Sequence, residues 1–263
     1  MDLKDKIVVV TGGGFGIGEA LCRRFAKEGA EAVVVADVNE SDAARVAGSI
    51  AGGAAVKCDV SREEDMIRLI EFTEKTFGPI DFFCSNAGIM VRGSFEAPNE
   101  SWQRIWEVNV MSHVYASRAV IPRMIERGGG AFMVTASAAG LLNQIGAMAY
   151  AVSKHAAVGL AESLSIAYGD RGIKVFALCP QAVRTAMTGP TLSTAAVDGL
   201  MEPDRLAEAV MQGIAGEEFL ILPHPEVRTY YQRKASDIDR WLAGMRRLQS
   251  RARSGAALKV KKD

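Results

Sequence analysis

Two side chains whose types and spacing suit proton transfer are Tyr150 and Lys154, which lie four residues apart. Their segment, Tyr-Ala-Val-Ser-Lys-His-Ala-Ala, is typical of a helix, and this spacing places both side chains on one helical face. A free tyrosine has a pKa of about 10 and is a poor base at neutral pH. An adjacent ammonium favours the phenolate, so we expect a lowered pKa for Tyr150. The pair then suits removal of a proton from an alcohol. Taken alone, the spacing also fits a surface tyrosine and lysine.

A glycine-rich segment, Thr11–Gly18 (TGGGFGIG), connects an apolar strand pattern to a helical pattern near the N-terminus. Glycines allow a sharp turn and let a pyrophosphate approach the peptide N–H groups. The positive N-terminus of the following helix favours the same anion. The order of strand, glycines and helix predicts a dinucleotide-binding loop, with a plain tight turn as the alternative.

Asp37 ends the second predicted strand, about 20 residues beyond the last glycine, where an acidic group receives the ribose 2′-hydroxyl of a dinucleotide. A carboxylate there repels a 2′-phosphate, and the neighbours Ala36, Val38 and Asn39 are not basic. The sequence therefore predicts NAD as the cofactor in preference to NADP. The alternative is a solvated aspartate at the end of a strand.

Seven short apolar runs alternate with helical patterns and would position these residues. Continuous apolar runs are typical of strands covered on both faces. Alternation of strands and helices with right-handed crossovers predicts a Rossmann-type, doubly wound α/β fold: a parallel sheet of about seven strands with helices on both faces. The predicted strands are Ile7–Val10, Val33–Val35, Ala54–Cys58, Ile80–Cys84, Ala131–Thr135, Val175–Cys179 and Phe219–Leu222.

The C-terminal residues depart from this alternation. We assign residues 1–223 to a single catalytic and nucleotide-binding domain, and residues 224–263 to a helical extension and basic tail of that domain. The tail from Arg251 is predicted to be flexible. A helix before it carries an apolar stripe that must be covered, and we favour a neighbouring subunit over the chain's own substrate pocket. The stripe consists of Ile238, Trp241, Leu242, Met245 and Leu248.

The composition excludes several classes of function. The 263 residues have a formal net charge of zero, so no bulk attraction to nucleic acid or to an anionic membrane is expected. No apolar run approaches the roughly 20 residues of a membrane span, and the N-terminus lacks a signal-peptide pattern. The four cysteines lack metal-ligand spacing, so we expect buried thiols, no metal site and a reducing, cytoplasmic location.

The sequence resembles the short-chain dehydrogenase/reductase family. The matching motifs follow the family's order and spacing over about residues 5–222. Each motif is weak alone, but the ordered set is specific. The motifs are TGGGFGIG (Thr11–Gly18), Asp59-Val60, Asn86-Ala87-Gly88, Asn109, Ser137 and the Tyr150–Lys154 pair.

The resemblance implies a catalytic set of four side chains. Tyr150 would be the general acid/base, and Ser137 would hold the substrate oxygen. Lys154 would bind the nicotinamide ribose and lower the pKa of Tyr150. Asn109 would hold a water that links Lys154 to solvent. The structural alternatives are a helix N-cap for Ser137 and a turn residue for Asn109.

The resemblance also implies the cofactor contacts. Asp59 would accept from the adenine amino group beside Val60, and Asn86–Gly88 would line the adenosine side and tie the central strands together. The full cofactor-binding set is Gly12, Phe15, Gly16, Ile17, Gly18, Asp37, Asp59, Val60, Asn86, Ala87, Gly88, Tyr150, Lys154, Pro180, Val183 and Thr185.

The chain departs from the family pattern at Gln181, which replaces a glycine after the sixth strand and makes any positive φ there costly. The glutamine side chain is a candidate for contact with substrate, in a pocket built from loops at the carboxyl ends of the strands. Because these loops are largely apolar, they favour a hydrophobic secondary alcohol or ketone. The substrate candidates are Leu141, Gln144, Gln181 and Met187.

These patterns predict an oxidoreductase that moves hydride between an alcohol or ketone and NAD. The resemblance also implies a homotetramer built through paired helices, one of which runs from Tyr150 through Tyr168. Two alternatives remain. An NADP-dependent reductase of the ketoacyl-reductase kind would carry basic residues, which Asp37 argues against. A nucleotide-binding scaffold without chemistry would lack part of the Asn–Ser–Tyr–Lys set, which is complete here.

Overall fold

A parallel sheet of seven strands forms the centre of the molecule in a computed structural model, which describes residues 1–188 and 194–253. The strands lie in the order β3-β2-β1-β4-β5-β6-β7, and every neighbouring pair is parallel. The seven predicted strands and the doubly wound fold are confirmed. The strands are β1 (Ile7–Thr11), β2 (Ala32–Asp37), β3 (Gly53–Lys57), β4 (Phe82–Ser85), β5 (Gly130–Thr135), β6 (Ile173–Leu178) and β7 (Leu220–Ile221).

Helices connect the strands and extend beyond the last one. No helix in the described ranges combines the length and the apolar character needed to cross a bilayer. A π-helical turn at Glu107–Met111 joins the fourth helix to the fifth. The α-helices are α1 (Gly16–Lys27), α2 (Glu40–Ala47), α3 (Glu63–Thr76), α4 (Asn99–Trp106), α5 (Ser112–Glu126), α6 (Ala139–Leu142), α7 (Met148–Tyr168), α8 (Pro203–Ala215), α9 (Glu226–Ser236) and α10 (Ile238–Arg253).

The two faces of the sheet pack against different helices. Along β1, Val9 faces one apolar core with α3, α5 and α7, whereas Val8 and Val10 face the other with α1, α2 and α8. Alternate side chains of a strand point to opposite faces, so both faces of β1 must be apolar. This two-sided burial explains why the strands are continuous apolar runs in the sequence.

The chain order of the strands reverses between β1 and β4, which are neighbours at the centre of the sheet. Loops that follow the two strands leave in opposite directions at this point, and a crevice opens at their carboxyl ends. The glycine-rich loop follows β1, and Asn86 follows β4. The topology therefore brings the predicted cofactor residues to one edge of the sheet.

The C-terminal extension folds back onto its own chain. Val227 of α9 is fully buried in the core, and Lys234 Nζ donates to the carbonyl of Leu141 in α6. The rings of Tyr230 and Trp241, with centroids 6.5 Å apart, join α9 to α10. Our preference for a neighbouring subunit as the cover of α10 stays a prediction for the members of the stripe that the chain itself leaves exposed.

The apolar stripe on α10 is divided between two environments. Three of its members line the cavity described below, namely Trp241, Met245 and Leu248. The other two, Ile238 and Leu242, remain nearly half exposed. The end of the predicted flexible tail, residues 254–263, lies outside the described residues.

A close approach between α6 and α7 fixes the position of Lys154. A Cβ on Gly140 would lie 2.4 Å from the backbone oxygen of Lys154, which is shorter than any van der Waals contact. Glycine at this position therefore lets the two helices touch through their backbones. This packing fixes the position of α7 relative to the end of β5.

Gly140→Ala is expected to destabilise the protein by about 1–3 kcal/mol, because overpacking a closed helix contact forces the backbone apart. Urea unfolding followed by circular dichroism measures the change. The matched control is Gly216→Ala, whose φ of −78° accepts alanine and whose nearest atom would lie at 3.4 Å. The control should keep wild-type stability, and a Gly140→Ala protein of equal stability would contradict the close packing.

Candidate active site

A single cavity of about 910 Å³ collects nearly all of the predicted site residues at the carboxyl edge of the sheet. Asn109 and Leu141 are the two that do not line it. Its size falls in the range of ligand pockets, roughly 300–1,000 Å³. The predicted residues on its wall are Gly12, Phe15, Gly16, Ile17, Gly18, Asp37, Asp59, Val60, Asn86, Ala87, Gly88, Ser137, Gln144, Tyr150, Lys154, Pro180, Gln181, Val183, Thr185 and Met187.

The glycine-rich loop forms an open cradle at one end of the cavity. Gly12 and Gly16 have positive φ angles of 63° and 59°, which side chains disfavour. A Cβ on Gly18 would lie 1.9 Å from the carbonyl oxygen of Gly12. Phe15, the N-cap of α1, offers no side-chain acceptor to the first N–H groups of the helix. The cradle and its free N–H groups fit the pyrophosphate of a dinucleotide.

The loops after β1 and β4 are tied together beneath this cradle. Thr11 Oγ1 accepts from the backbone N–H groups of Asn86 and Ala87 at 2.9 and 3.2 Å. The side-chain amide of Asn86 donates to the carbonyl of Thr11 at 2.9 Å. These bonds hold the two loops in a fixed relation at the point where the strand order reverses.

Asp37 lies at the end of β2 with its carboxylate against the glycine loop. Its Oδ2 accepts from the backbone N–H of Gly14 at 3.0 Å, and its Oδ1 accepts from that of Asn39 at 2.9 Å. The residue is buried within the protein yet lines the cavity. Each carboxylate oxygen can accept a further bond, so the orientation suits a ribose diol.

Asp59 lies farther along the same side of the cavity. Its Oδ1 accepts from the hydroxyl and the backbone N–H of Ser61, at 2.6 and 3.0 Å. Partial burial raises the pKa of Asp59. The hydrogen bonds from Ser61 and the positive charge of Arg104 outweigh this effect, so the pKa is lowered. The second carboxylate oxygen remains available to a ligand, because Ser61 engages only Oδ1.

Tyr150 and Ser137 converge in the middle of the cavity. Ser137 follows β5, and its hydroxyl lies near enough to the Tyr150 phenol to lower the pKa of that group. The hydroxyl also accepts from the backbone N–H of Ala139 at 3.1 Å and faces the carbonyl of Pro180 at 3.3 Å. Ser137 therefore lies beside the phenol and one residue before Ala138, which is the N-cap of α6, so the N-cap alternative for Ser137 is wrong.

The pKa of Tyr150 is raised in the ligand-free protein, so Lys154 alone does not produce the lowered value that we expect beside an oxidised nicotinamide. Burial is the main cause of the raised pKa, because it disfavours the phenolate, and the nearby hydroxyl of Ser137 opposes it only in part. Lys154 Nζ lies 5.8 Å from the centre of the Tyr150 ring. The four-residue spacing correctly predicts that Tyr150 and Lys154 are neighbours. It does not reveal the free-energy cost of removing the phenolate from water.

Lys154 is a buried cation held by the end of a strand. Its Nζ donates to the carbonyl of Thr135 at 2.7 Å, and the side chain is almost inaccessible to solvent. Burial lowers the pKa of Lys154 to about 8. At neutral pH the ammonium form therefore still dominates, but the proton is held weakly enough to be exchanged.

Asn109 lies within the π-helical turn, so the alternative of an ordinary turn is wrong. Its side-chain amide donates to the carbonyl of Ile89 at 2.9 Å and to Ser153 Oγ at 3.1 Å. Its Oδ1 accepts from the backbone N–H of Ile89 at 2.8 Å. The side chain thus braces the loop after β4 against α7, directly behind the cavity wall.

One of the four substrate candidates, Leu141, does not line the cavity. Leu141 is buried in the apolar core, and the next residue, Leu142, lines the cavity instead, because α6 turns the side chain of Leu141 inward. Gln181 has no positive φ, so the glycine replacement causes no backbone strain. Its backbone N–H donates to His224 Nδ1 at 3.2 Å, and its Oε1 is buried without a partner among the described residues.

Sequence reasoning missed a buried histidine behind the site. His113 Nδ1 lies 2.6 Å from Ser85 Oγ at the end of β4. Burial, and to a smaller degree the charge of Lys154, lowers the pKa of His113 to about 3. The imidazole is therefore neutral, and Lys154 is the cation of this buried region. No motif marks His113 in the sequence.

Sequence reasoning also missed the outer wall of the cavity, which α9 and α10 provide. The sequence contained a signal for this wall, because Arg240 and Arg247 lie two helical turns apart beside the apolar stripe. The contributing residues are Tyr230, Arg233, Ser236, Asp237, Arg240, Trp241, Gly244, Met245, Arg247 and Leu248.

Residues 6–196 match the short chain dehydrogenase family. The chain belongs to this family, as the motifs indicated. Relatives carry names of enzymes that oxidise hydroxyl groups. The match therefore supports an oxidoreductase that acts on hydroxyl groups.

Three individual likenesses illustrate the relationship. The 1-deoxy-11-beta-hydroxypentalenate dehydrogenase of Streptomyces exfoliatus is 35% identical over 248 residues, which cover 90% of each chain. The cyclohexanol dehydrogenase of Acinetobacter sp. (strain SE19) is 34% identical over 189 residues, covering 70% of this chain and 75% of its own. A short chain dehydrogenase/reductase from Burkholderia phymatum, solved in complex with NAD, superposes with a TM-score of 0.83 at 28% identity, covering 91% of this chain and 96% of its own.

Lys154→Met is expected to stabilise the ligand-free protein by about 1–3 kcal/mol at pH 7, because it removes a buried charge while keeping the apolar stem. The unfolded lysine titrates near 10.5 and the folded one at about 8. The unfolded state therefore binds more protons between these values, and the cost of the buried ammonium disappears as pH rises through them. The gain should thus be full below pH 8 and small near pH 10.

Urea unfolding of wild type and variant at both pH values measures this gain. Lys174→Met is the matched control, because Lys174 lies on an exposed part of β6. A Lys154→Met protein that is less stable than wild type at pH 7 would contradict the cost assigned to the buried ammonium.

Proposed function

We propose that the protein is an NAD-dependent oxidoreductase that interconverts a hydrophobic secondary alcohol and its ketone, with Tyr150 as the general acid/base. The observation that carries the proposal is the convergence of Tyr150, Ser137 and Lys154 in one cavity that also holds the glycine cradle. In this proposal, residues 1–223 form the catalytic and NAD-binding domain, and the C-terminal extension belongs to the same domain. The protein works in the cytoplasm.

The residues of the chain divide the work as follows. The hydroxyl of Ser137 holds the substrate oxygen beside the phenol of Tyr150. In alcohol oxidation Tyr150 takes the hydroxyl proton as its carbon is oxidised, and in ketone reduction Tyr150 returns it. The nicotinamide of bound NAD supplies the hydride acceptor.

Lys154 prepares Tyr150 for this role. Its ammonium, 5.8 Å from the ring centre, favours phenolate over phenol. The pKa of about 8 lets Lys154 pass on a proton at mildly alkaline pH. Asn109 holds α7 in place through Ser153, and a water that it binds would connect Lys154 with solvent.

The substrate class follows from the cavity wall. Leu142, Ile145 and Met187 are apolar and lie in the loops at the carboxyl ends of the strands. Gln144 and Gln181 offer polar contacts on the same wall. The name of the related cyclohexanol dehydrogenase supports a secondary alcohol, and cyclohexanol itself is largely hydrophobic.

The alternatives find less support. An NADP-dependent reductase would place a 2′-phosphate against the carboxylate of Asp37, which already lies within hydrogen-bond distance of Gly14. A related structure that contains NAD supports the same cofactor here. A scaffold without chemistry would not need to bury Lys154, whose ammonium costs stability.

Tyr150→Phe is expected to lower kcat by about 100- to 10,000-fold, because phenylalanine keeps the ring but cannot transfer a proton. Cyclohexanol oxidation followed by NADH absorbance measures the rate, and fluorescence titration should show unchanged NADH binding. Tyr168→Phe, at the far end of α7, is the matched control and should keep wild-type activity. More than about a tenth of the wild-type rate in Tyr150→Phe would remove Tyr150 from the role of general acid/base.

The protein is expected to use NAD better than NADP, and Asp37→Asn should narrow the difference about tenfold by removing repulsion between two anions. Values of kcat/KM for both cofactors measure the preference. Asp42→Asn is the control, since Asp42 is a nearby acid that does not line the cavity. Equal or better use of NADP by wild type would refute the cofactor assignment.

We also propose a homotetramer assembled through α7. Val152 and Ile166 of this helix are exposed, Ile166 to 86%, and a contact between subunits would cover them. Ile166→Glu in the full chain should shift light scattering toward smaller species, because a buried unpaired carboxylate is costly. Leu242→Glu on the exposed side of α10 should leave assembly unchanged. A monomeric wild type would refute the assembly.

A further inference from the structure

The cavity wall contributed by α9 and α10 carries an excess of positive charge. Arg233 of α9 and Arg240 and Arg247 of α10 all line the cavity. The acidic residue that these helices add to the wall is Asp237, whose Oδ1 accepts from the backbone N–H of Arg240 at 2.9 Å and so caps α10. Positive charge is thus concentrated here although the whole chain is neutral.

These three guanidinium groups have no ion-pair partner within the described part of the chain. By contrast, Arg228, which also lies in α9, has its Nη2 3.9 Å from the carboxylate of Glu218. Arginines on an open surface are commonly solvated in this way without a function. Here, however, the three exposed side chains also line one cavity, so an anion bound there would meet them together.

The wall beside the arginines is apolar. Trp241, Met245 and Leu248 lie on the same helix as Arg240 and Arg247, and Trp241 packs against Tyr230. A ligand in this part of the cavity would therefore contact a hydrophobic surface with a positive border. Such a surface matches a molecule with an apolar body and an anionic end.

The position of α9 assigns this surface to the substrate rather than to the cofactor. Lys234, next to Arg233, donates to the carbonyl of Leu141 in α6 and so holds α9 over that helix. The chain continues from α6 through Gln144 to Tyr150, the reacting end of the cavity. The glycine cradle, by contrast, has its own anion site in the N–H groups of α1.

We propose that the substrate is a hydrophobic alcohol or ketone that carries an anionic group, and that Arg233, Arg240 and Arg247 bind that group. A guanidinium presents two parallel N–H donors to a carboxylate, which adds orientation to charge. Binding at this border would fix the apolar body along α10 and direct the hydroxyl toward Tyr150. The inference rests on the proposed function of the same cavity.

The test compares matched substrates that differ only in charge. Medium-chain fatty acids with a hydroxyl on the penultimate carbon, and their primary amides, are oxidised with NAD, and kcat/KM is measured for each. Wild type should favour the acid over the amide by about tenfold at low salt, and less at high salt. The triple variant Arg233→Gln, Arg240→Gln, Arg247→Gln should lose this preference while it oxidises the amide as well as wild type does.

Arg246→Gln is the matched control, because Arg246 is as exposed as its neighbour Arg247 but does not line the cavity. The control should keep the preference for the acid. Equal kcat/KM for acid and amide in wild type would overturn the inference, and so would an equal loss of both activities in the triple variant.

The affinity for NADH distinguishes substrate binding by the three arginines from binding of the cofactor phosphates. If the triple variant bound NADH tenfold more weakly but still preferred the acid, the arginines would serve the cofactor phosphates and the inference would fall. Calorimetry measures the affinity of the NADH complex for the keto acid and for the keto amide. This comparison tests the inference without turnover. Tighter binding of the keto acid by wild type, together with no oxidation of any alcohol, would overturn the proposed function alone.

Discussion

The buried ammonium of Lys154 is the constraint on which the rest of the site depends. A cation in a protein interior is costly unless polar groups meet it, and the carbonyl of Thr135 at the end of β5 is the group that does so here. That contact requires α7 to lie close to the carboxyl edge of the sheet. Gly140 permits the approach, because any side chain there would collide with the backbone of Lys154.

The same packing decides the electrostatics of Tyr150. Burial disfavours the phenolate, so the ligand-free site holds Tyr150 as a neutral phenol. His113 is neutral as well, because its burial and the neighbouring ammonium oppose a second positive charge. The site therefore places one cation beside one weak acid among otherwise uncharged groups. A further positive charge from an oxidised nicotinamide would act on Tyr150 with little screening.

Much of the fold was predictable because its signals are local. Two-sided burial makes the strands apolar runs, and the glycine loop must join β1 to α1 whatever else surrounds it. The sequence also placed Asp37 at the end of β2 and Tyr150 above Lys154 on one helical face. These features depend on neighbours along the chain, and no distant contact changes them.

The errors concern quantities that depend on contacts between distant segments. The raised pKa of Tyr150 comes from how deeply α7 is buried, which spacing cannot express. Leu141 faces the core because α6 is a single short turn of helix docked on α7, and one step along a helix rotates the side chain by about 100°. The part of α10 that lines the chain's own cavity could not be predicted, because its apolar stripe fits several partners and the packing of α9 on α6 is a distant contact.

Direct titration of the Tyr150 phenol tests the account at its centre. Absorbance of the phenolate is recorded against pH for wild type and for Tyr150→Phe, with and without NAD, and the difference isolates this one tyrosine. The account predicts a pKa above the ordinary value of about 10 in the ligand-free protein and below it when NAD is bound. A pKa of Tyr150 that is the same in both states would contradict the account.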